Sequence, residues 1–326
     1  MGTGDHLAKV LKVRSKLPNV KQIIVFDEVN VSGADELTLA KALSIGKEKS
    51  NETLFNERLS SIEPSDLSTL IYTSGTTGNP KGVMLTHNNF VSNVRNTLHE
   101  MRDPKTGKDL LTENDIFLSF LPLSHSLERT AGFHGALWVG AKTAFAEDIS
   151  KLMENFAEVR PTVIICVPRI YEKIHAGILA KVANAPGSKK KIFNFAMRQA
   201  ARNLPNVCRD LPPKGMFAIK YRLADKLVFS KLKATLGMDR LRYAISGGAP
   251  LSVSDAEFFI GMGFKILEGF GLTETSPIMT FNRPWFIKPG TVGHSIPETE
   301  IKIADDGEIL IRGPRSPDEY FAVVGD

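Results

Sequence analysis

The chain has 326 residues, 42% hydrophobic and 24% charged, which excludes a disordered or fibrous protein and allows a large core in two or more subdomains. Its 41 Lys and Arg against 36 Asp and Glu give a net charge of +5, too mild for a dedicated nucleic-acid binder and suited to an anionic ligand. Cys166 and Cys208 form neither a C-x-x-C nor a metal pattern, and Cys166 sits in the apolar run TVIICV, so free thiols in a reducing, cytoplasmic setting are expected. The start, MGTGDHLAKV, has no apolar signal core, and no apolar run approaches the roughly 18 residues of a membrane span.

In chain order, KQIIVFD (21–27) reads as a short buried strand and ELTLAKALSIGK (36–47) has helical spacing, together the tail of a βαβ unit. From Leu67 a strand enters YTSGTTGNPKGV (72–83). A second extended run, VMLTH, follows, then a helix over 88–100 with Phe90, Val91, Val94 and Leu98 on one face. DIFLSFLPLS (115–124) is a strand, followed by a helix rich in small residues and a short strand at KTAFA. ISKLMENFAEV (149–159) is an amphipathic helix with Ile149, Leu152, Met153, Phe156 and Val159 inward.

TVIICV is the next strand and PRIYEKIHAGILAKV (168–182) a helix. Two more helices fill 189–235, interrupted at NLPNVCRDLPPKG. LRYAIS is a strand, SVSDAEFFIGMG a helix capped by Ser252 and Asp255, and FKILEG a strand. This alternation predicts an α/β fold of mostly parallel sheets flanked by helices. IKIADDGEILIRG reads as a hairpin turning at Asp306-Gly307, the start of a small β subdomain. Three regions are expected: 1–148 with the first loop, 149–284 with two further motifs, and an incomplete β subdomain at 285–326.

Three loops carry candidate chemistry. YTSGTTGNPKGV does not fit the P-loop formula, because the sixth place from Gly75 is Pro80 and Gly82 follows Lys81. A strand-to-strand loop also differs from the strand-to-helix phosphate loop. It still supplies what a polyphosphate needs. Thr73, Ser74, Thr76 and Thr77 carry hydroxyls, Gly75, Gly78 and Gly82 allow close backbone approach, and Lys81 is a cation for outer phosphates. An ordinary Gly/Ser/Thr turn is the alternative.

EGFGLTETSP (268–277) sets Phe270 between Gly269 and Gly271, with Thr273 as a donor and Glu274 as a hard oxygen ligand suited to Mg²⁺. A strand-end turn with a solvated Glu is the alternative. SGGAPL (246–251) ends the strand LRYAIS, and Gly247 and Gly248 would let a flat base approach, or simply turn the chain into its helix. All three loops follow predicted strands, so one crevice at the strand ends could collect them.

In that order, YTSGTTGNPKGV, SGGAPL and GFGLTET resemble the adenylate-forming (AMP-binding) enzymes, a superfamily of acyl-CoA synthetases, luciferases and peptide-synthetase adenylation domains. LPLSHSLERT (121–130), RPTVIICVPRIYEKI (160–174) and FNRPWFIKPGTVGHSIP (281–297) resemble its long-chain fatty acyl-CoA synthetase branch, and the resemblance runs from Leu67 to Pro314. It implies that Thr73, Ser74, Gly75, Thr76, Thr77, Gly78 and Lys81 hold the ATP phosphates, and that Gly247, Gly248 and Ala249 line an adenine pocket. Phe270, followed by Gly271, would stand where the family usually has an aromatic against adenine. Thr273 would contact the transferred phosphate, Glu274 would ligate Mg²⁺, and His125 would lie beside the acyl and phosphate groups unless it is a packed helix-start histidine. Glu128 and Arg129 are typical of the long-chain branch, or else a structural ion pair.

The implied reaction joins a long-chain fatty acid to AMP from ATP and then to coenzyme A, with no protein nucleophile. The alternatives are an acyl-AMP ligase serving a carrier protein and a non-catalytic nucleotide-binding fragment. By the same resemblance the family's upstream part and its mobile C-terminal lysine-bearing domain are absent. The stretch RSPDEYFAVVGD also departs from the family pattern, so Asp326 is not assigned. A central fragment, weak or inactive alone, is expected. Finally, SKKKIFNFAMRQAARN and FAIKYRLADKLVFSKLK mix Lys and Arg with Phe and Leu, which suits either two helices with solvated basic faces or peripheral contact with an anionic membrane. No oligomeric state is implied.

Overall fold

A computed structural model describes residues 4–27, 31, 33, 35–73, 80–314 and 321–323. The chain divides into two units, one up to Glu63 and one from Pro64.

In the first unit α1 (Gly4–Lys12) precedes β1 (Ile23–Val25), which pairs in parallel with β2 (Glu36–Thr38); α2 (Leu39–Glu48) and α3 (Glu52–Ser60) follow. The helical spacing expected from residue 36 therefore begins three residues too early. Residues 36–38 are held extended by β1, and the Thr38 hydroxyl caps α2 by accepting from the Lys41 amide at 3.3 Å. The core here is small. Its buried apolar residues are Leu7, Ile23 and Val25. Arg14 closes the loop after α1 by donating to the Leu17 carbonyl at 2.8 Å and the Val20 carbonyl at 2.6 Å, and by pairing with Asp35.

The second unit opens with an antiparallel hairpin, β3 (Leu67–Thr73) and β4 (Lys81–Thr86), in which Thr73 pairs with Lys81. The strand-to-strand reading of the glycine-rich loop is thus correct in its flanks, while Ser74, Gly75, Thr76, Thr77 and Gly78 lie outside the described residues. Next come α4 (His87–His99), β5 (Ile116–Ser119), a π-helical segment (Glu128–His134), α5 (Gly135–Trp138), β6 (Lys142–Phe145), α6 (Leu152–Val159) and β7 (Val163–Cys166). α7 (Pro168–Ala183), α8 (Gly187–Cys208), α9 (Gly215–Ala224), a second π-helical segment (Asp225–Phe229) and α10 (Ser230–Thr235) follow. β8 (Tyr243–Ser246), α11 (Val253–Gly261), β9 (Ile266–Gly271), β10 (Ile278–Phe281) and β11 (His294–Ser295) complete the main sheet.

That sheet has seven strands in the order β11-β10-β9-β8-β7-β5-β6, parallel from β9 to β6 and antiparallel at β10 and β11. It draws strands from both sides of residue 148 and from beyond 284, so both lines drawn from the sequence fall within it. All four residues of β7 are buried, as expected of a central parallel strand covered on both faces. β12 (Glu300–Ile303), β13 (Ile309–Arg312) and β14 (Phe321–Val323) form a separate three-stranded antiparallel sheet, turning at Gly307 with φ of 90°.

Three local expectations are corrected. Val91 faces out of α4, because the buried face is shared with Asn93, whose amide donates to the carbonyls of Thr275 at 3.2 Å and Ile278 at 2.8 Å. Ile149 and Met153 are exposed while Leu152 and Phe156 are buried, since a 3-10 turn at Ile149–Lys151 precedes α6 and resets the helical phase. α8 runs through Pro205 to Cys208, so the break between the two helices is confined to 209–214. Among the described residues no helix is long and apolar enough to cross a membrane.

Candidate active site

Parallel strands deliver their following loops to one edge of a sheet. At that edge a cavity of about 800 Å³ opens beside the ends of β8 and β9, and the hairpin of β3 and β4 contributes to its wall. Ser246, Gly247 and Gly248 extend from β8 into it. Phe270, Gly271, Thr273 and Glu274 enter from β9 and the 3-10 turn that follows, and Thr73 and Lys81 from the hairpin. His125 and Ser126 line it from the loop after β5. Of the described residues singled out from sequence, Thr73, Lys81, His125, Gly247, Gly248, Phe270, Gly271, Thr273 and Glu274 therefore meet at one cavity, while Gly82, Glu128, Arg129 and Ala249 do not line it. Ala249 is exposed next to Gly248.

Two glycines are required by this geometry. Gly248 has φ of +82°, a left-handed conformation that a side chain would strain. At Gly271 a Cβ would stand 1.8 Å from the Pro277 carbonyl oxygen, so the strand and the returning chain can approach only without a side chain.

The turn at Thr273–Thr275 is held from behind. Thr275 donates to the Pro277 carbonyl at 2.7 Å, and Thr130 to the Ser276 carbonyl at 3.1 Å. Asn93 supplies the two amide bonds already described. The Thr273 and Ser126 hydroxyls lie 3.4 Å apart at the cavity. His125 Nδ1 accepts from the Leu127 amide at 3.2 Å, so the neutral ring carries its proton on Nε2. This histidine lines the cavity and is exposed, which departs from the packed alternative.

Glu128 and Arg129 do not pair with each other. Arg129 Nε donates to the Leu123 carbonyl at 2.9 Å and its Nη1 to the Thr69 hydroxyl at 3.0 Å, tying the loop after β5 to the hairpin. Glu128 turns the opposite way. It is 1% exposed and neither carboxyl oxygen has a hydrogen-bond partner. Burial pushes its pKa from 4.5 up to about 7, with the Ser119 side chain nearby offsetting part of the rise. Burial also raises the Cys166 thiol, leaving it a packed, inert group, and lowers His134, with Arg129 adding to that shift.

Glu274 presents a half-buried carboxylate at the cavity and has no ion-pair partner among the described residues. A carboxylate at a cavity also lined by the Ser126 and Thr273 hydroxyls offers hard oxygen donors of the kind that fit Mg²⁺. Among the described residues there is no cluster of three or more His, Cys, Asp or Glu that would hold a metal by itself.

The sequence reading did not foresee the other half of the cavity. Val94 and Leu98 of α4, with Met101, Leu111 and Phe117, make up an apolar part of its lining. Ala131 and Gly135 of the helix after His125 add small side chains to its wall. The helical period places Val94 and Leu98 on one face of α4 without saying what that face lines, and Met101 and Leu111 lie where no period is visible. The small residues of that helix were the available signal, since they leave volume beside an apolar face.

An α/β sheet with a glycine- and hydroxyl-lined cleft at its strand ends, one lysine and one open carboxylate defines a class of proteins built to take an anionic ligand. The chain belongs to the AMP-binding enzyme family, whose model matches residues 3–321. It is 36% identical over 315 residues to the long-chain-fatty-acid–CoA ligase FadD15 of Mycobacterium bovis, covering 95% of this chain and 49% of that protein. It is 33% identical over 330 residues to the peroxisomal long chain acyl-CoA synthetase 7 of Arabidopsis thaliana, covering 94% and 43%. The chain thus spans about half the length of the curated relatives it matches. In fold it is similar to the anthranilate CoA ligase AuaEII solved with anthranoyl-AMP, at a TM-score of 0.58 and 17% identity, covering 97% of this chain and 49% of that one.

Proposed function

We propose that this chain carries the nucleotide and acyl sites of an ATP-dependent long-chain fatty acid–CoA ligase. The observation that carries the reading is that one cavity is lined both by apolar side chains and by Lys81, His125, Thr273 and Glu274. A fatty acid has that same division, an aliphatic chain ending in a carboxylate. The relatives named above support the choice of acid and of coenzyme A as acceptor.

In this reading the apolar lining takes the acyl chain and leaves its carboxylate among the polar residues. A carboxylate oxygen attacks the α-phosphorus of ATP, the bond to pyrophosphate breaks, and acyl-AMP results. The coenzyme A thiol, losing its proton, then attacks the acyl carbon and AMP leaves, giving the thioester. Lys81 and the hairpin loop offset the negative charge of the phosphates. Thr273 donates to a phosphate oxygen, and Gly247 and Gly248 allow the adenine to lie close against the chain, with Phe270 beside it. His125, carrying a proton on Nε2, can donate to the acyl carboxylate or the α-phosphate. Mg²⁺ held at Glu274 would screen the repulsion between the two anions. The free thiols Cys166 and Cys208 fit a reducing, cytoplasmic setting and take no part.

The test is calorimetric titration of the chain with Mg·ATP and with a non-hydrolysable fatty acyl-adenylate analogue, beside Lys81→Ala and Glu274→Ala. The analogue is expected to bind more tightly than ATP, and both variants to weaken Mg·ATP at least tenfold. A chain with an intact melting transition that binds neither compound overturns the reading.

A further inference from the structure

The second unit carries a surface that the ligase reading does not use. Between residues 187 and 233 there are 12 Lys and Arg against 2 Asp and no Glu, a net charge of +10, whereas the rest of the chain, with 29 basic and 34 acidic residues, carries −5. The two acids are not free to offset this. Asp210 is paired with Lys265 at 2.6 Å, and Asp225 is half-buried and accepts from the Ser230 hydroxyl at 2.8 Å.

Within this basic stretch, α9 and the π-helical segment after it are apolar on two faces. The inner face packs on the protein through Phe217, Tyr221, Ala224, Val228 and Phe229. A second row, Met216, Ile219, Leu223 and Leu227, is spaced three or four residues apart and is 71%, 63%, 49% and 38% exposed. Side chains at that spacing form one continuous stripe along a helix. Nothing polar interrupts it, and basic side chains border it. At 100° per residue along α9, Lys220 falls on one flank of it and Arg222 on the other, and Lys226 follows in the π-helical segment. All three are exposed.

We propose that this face of α9 and the following π-helical segment docks on an anionic phospholipid surface, with the apolar stripe entering the headgroup–acyl boundary and the flanking basic residues meeting the headgroups. The charge arrangement selects this occupant. A row of exposed apolar side chains alone would suit any hydrophobic partner. A basic border on both flanks with no free acid disfavours a second copy of the same face, which would bring like charges together, and matches a plane of negative charge. The proposal does not rest on the ligase reading, because binding to lipid needs neither nucleotide nor acyl substrate.

The experiment is vesicle co-sedimentation of the full 326-residue chain, using phosphatidylcholine vesicles with and without a fraction of phosphatidylglycerol, over rising salt. The expected result is binding that needs the anionic lipid and falls with salt. Lys220→Glu with Lys226→Glu should lower affinity by more than about 25-fold, from roughly fivefold per lost basic residue. Met216→Ser with Ile219→Ser and Leu223→Ser should lower it at least about tenfold. Both sets are exposed, and the melting transition checks that they fold. Leu223→Trp gives an independent reading, with a blue-shifted emission on anionic vesicles. Equal binding by all variants, or a folded chain that stays in the supernatant at every composition, overturns the proposal. So does a stripe-dependent dimer, or stripe-dependent binding to an acidic protein, in the absence of vesicle binding.

Discussion

The two walls of the cleft are built differently. The sheet wall, at the ends of β8 and β9, stands on a fully buried parallel core, and side chains from α4 and the π-helical segment bond to the carbonyls of its turn. The hairpin wall, which brings Thr73 and Lys81, rests on Ile71, Leu85 and Phe90, while Leu70, Tyr72 and Met84 remain exposed. The wall assigned to the base and the metal is therefore backed by buried strands and by hydrogen bonds to its turn. The wall assigned to the outer phosphates is supported on one face, with Arg129 reaching across to Thr69 as a tie. Few buried contacts mean a low cost of local opening, so the hairpin is the part of the site able to adjust around a ligand.

Glycines sharpen this contrast most, because the same substitution can be made in each wall. Gly271→Ala places a methyl group on the Pro277 carbonyl and should destabilise the second unit by at least about 3 kcal/mol, read from urea unfolding. If Gly271→Ala unfolds like the parent, the sheet wall is not rigid and the comparison fails.

The buried side of the cleft should also be where pH acts. Below pH 4.5 Glu128 is neutral in both folded and unfolded chains, and its burial is harmless. Between 4.5 and about 7 the unfolded chain releases this proton while the folded chain retains it, so stability falls as pH rises. The loss should reach about 3 kcal/mol and level off above pH 7. Glu128→Gln, which cannot ionise, should remove this slope, as seen in unfolding curves at pH 5 and pH 8. Parallel curves for the two proteins would place the pH dependence elsewhere.

The smallest effect belongs to the hairpin. A Cβ at Gly82 would meet the Tyr72 ring at 3.4 Å, an ordinary contact, and Gly82 does not have a positive φ. Gly82→Ala should change stability by less than about 1 kcal/mol, the unfolded-state entropy gain offsetting any crowding. A loss as large as that of Gly271→Ala would show the hairpin to be packed as tightly as the sheet.

Much of this was legible before the fold was known, for reasons that differ along the chain. TVIICV announces a central strand because a short β-branched apolar run suits a strand covered on both faces. SGGAPL and EGFGLTETSP announce strand-end loops because glycines and hydroxyls punctuate apolar runs. Val91, Ile149 and Met153 were misplaced because helical spacing gives a period without its phase. In α4 the phase was decided by Asn93, a polar residue that no apolar pattern would place inside. Glu128 and Arg129 are adjacent and of opposite charge, yet the π-helical segment sends them to opposite sides.

The sequence by itself determined most of the strand and helix alternation between Leu67 and Gly269, the glycines of the cleft and its chemical inventory, because period, charge and backbone permissiveness are local properties. Only the tertiary structure decided that apolar and polar side chains line one cavity, that Glu128 is buried apart from any cation among the described residues, and that the stripe from Met216 to Leu227 faces outward. Each of these depends on contacts between distant residues, as between Asn93 and Thr275, 182 positions apart. The free energy of such contacts depends on what else occupies the same volume, and a one-dimensional pattern does not carry that information.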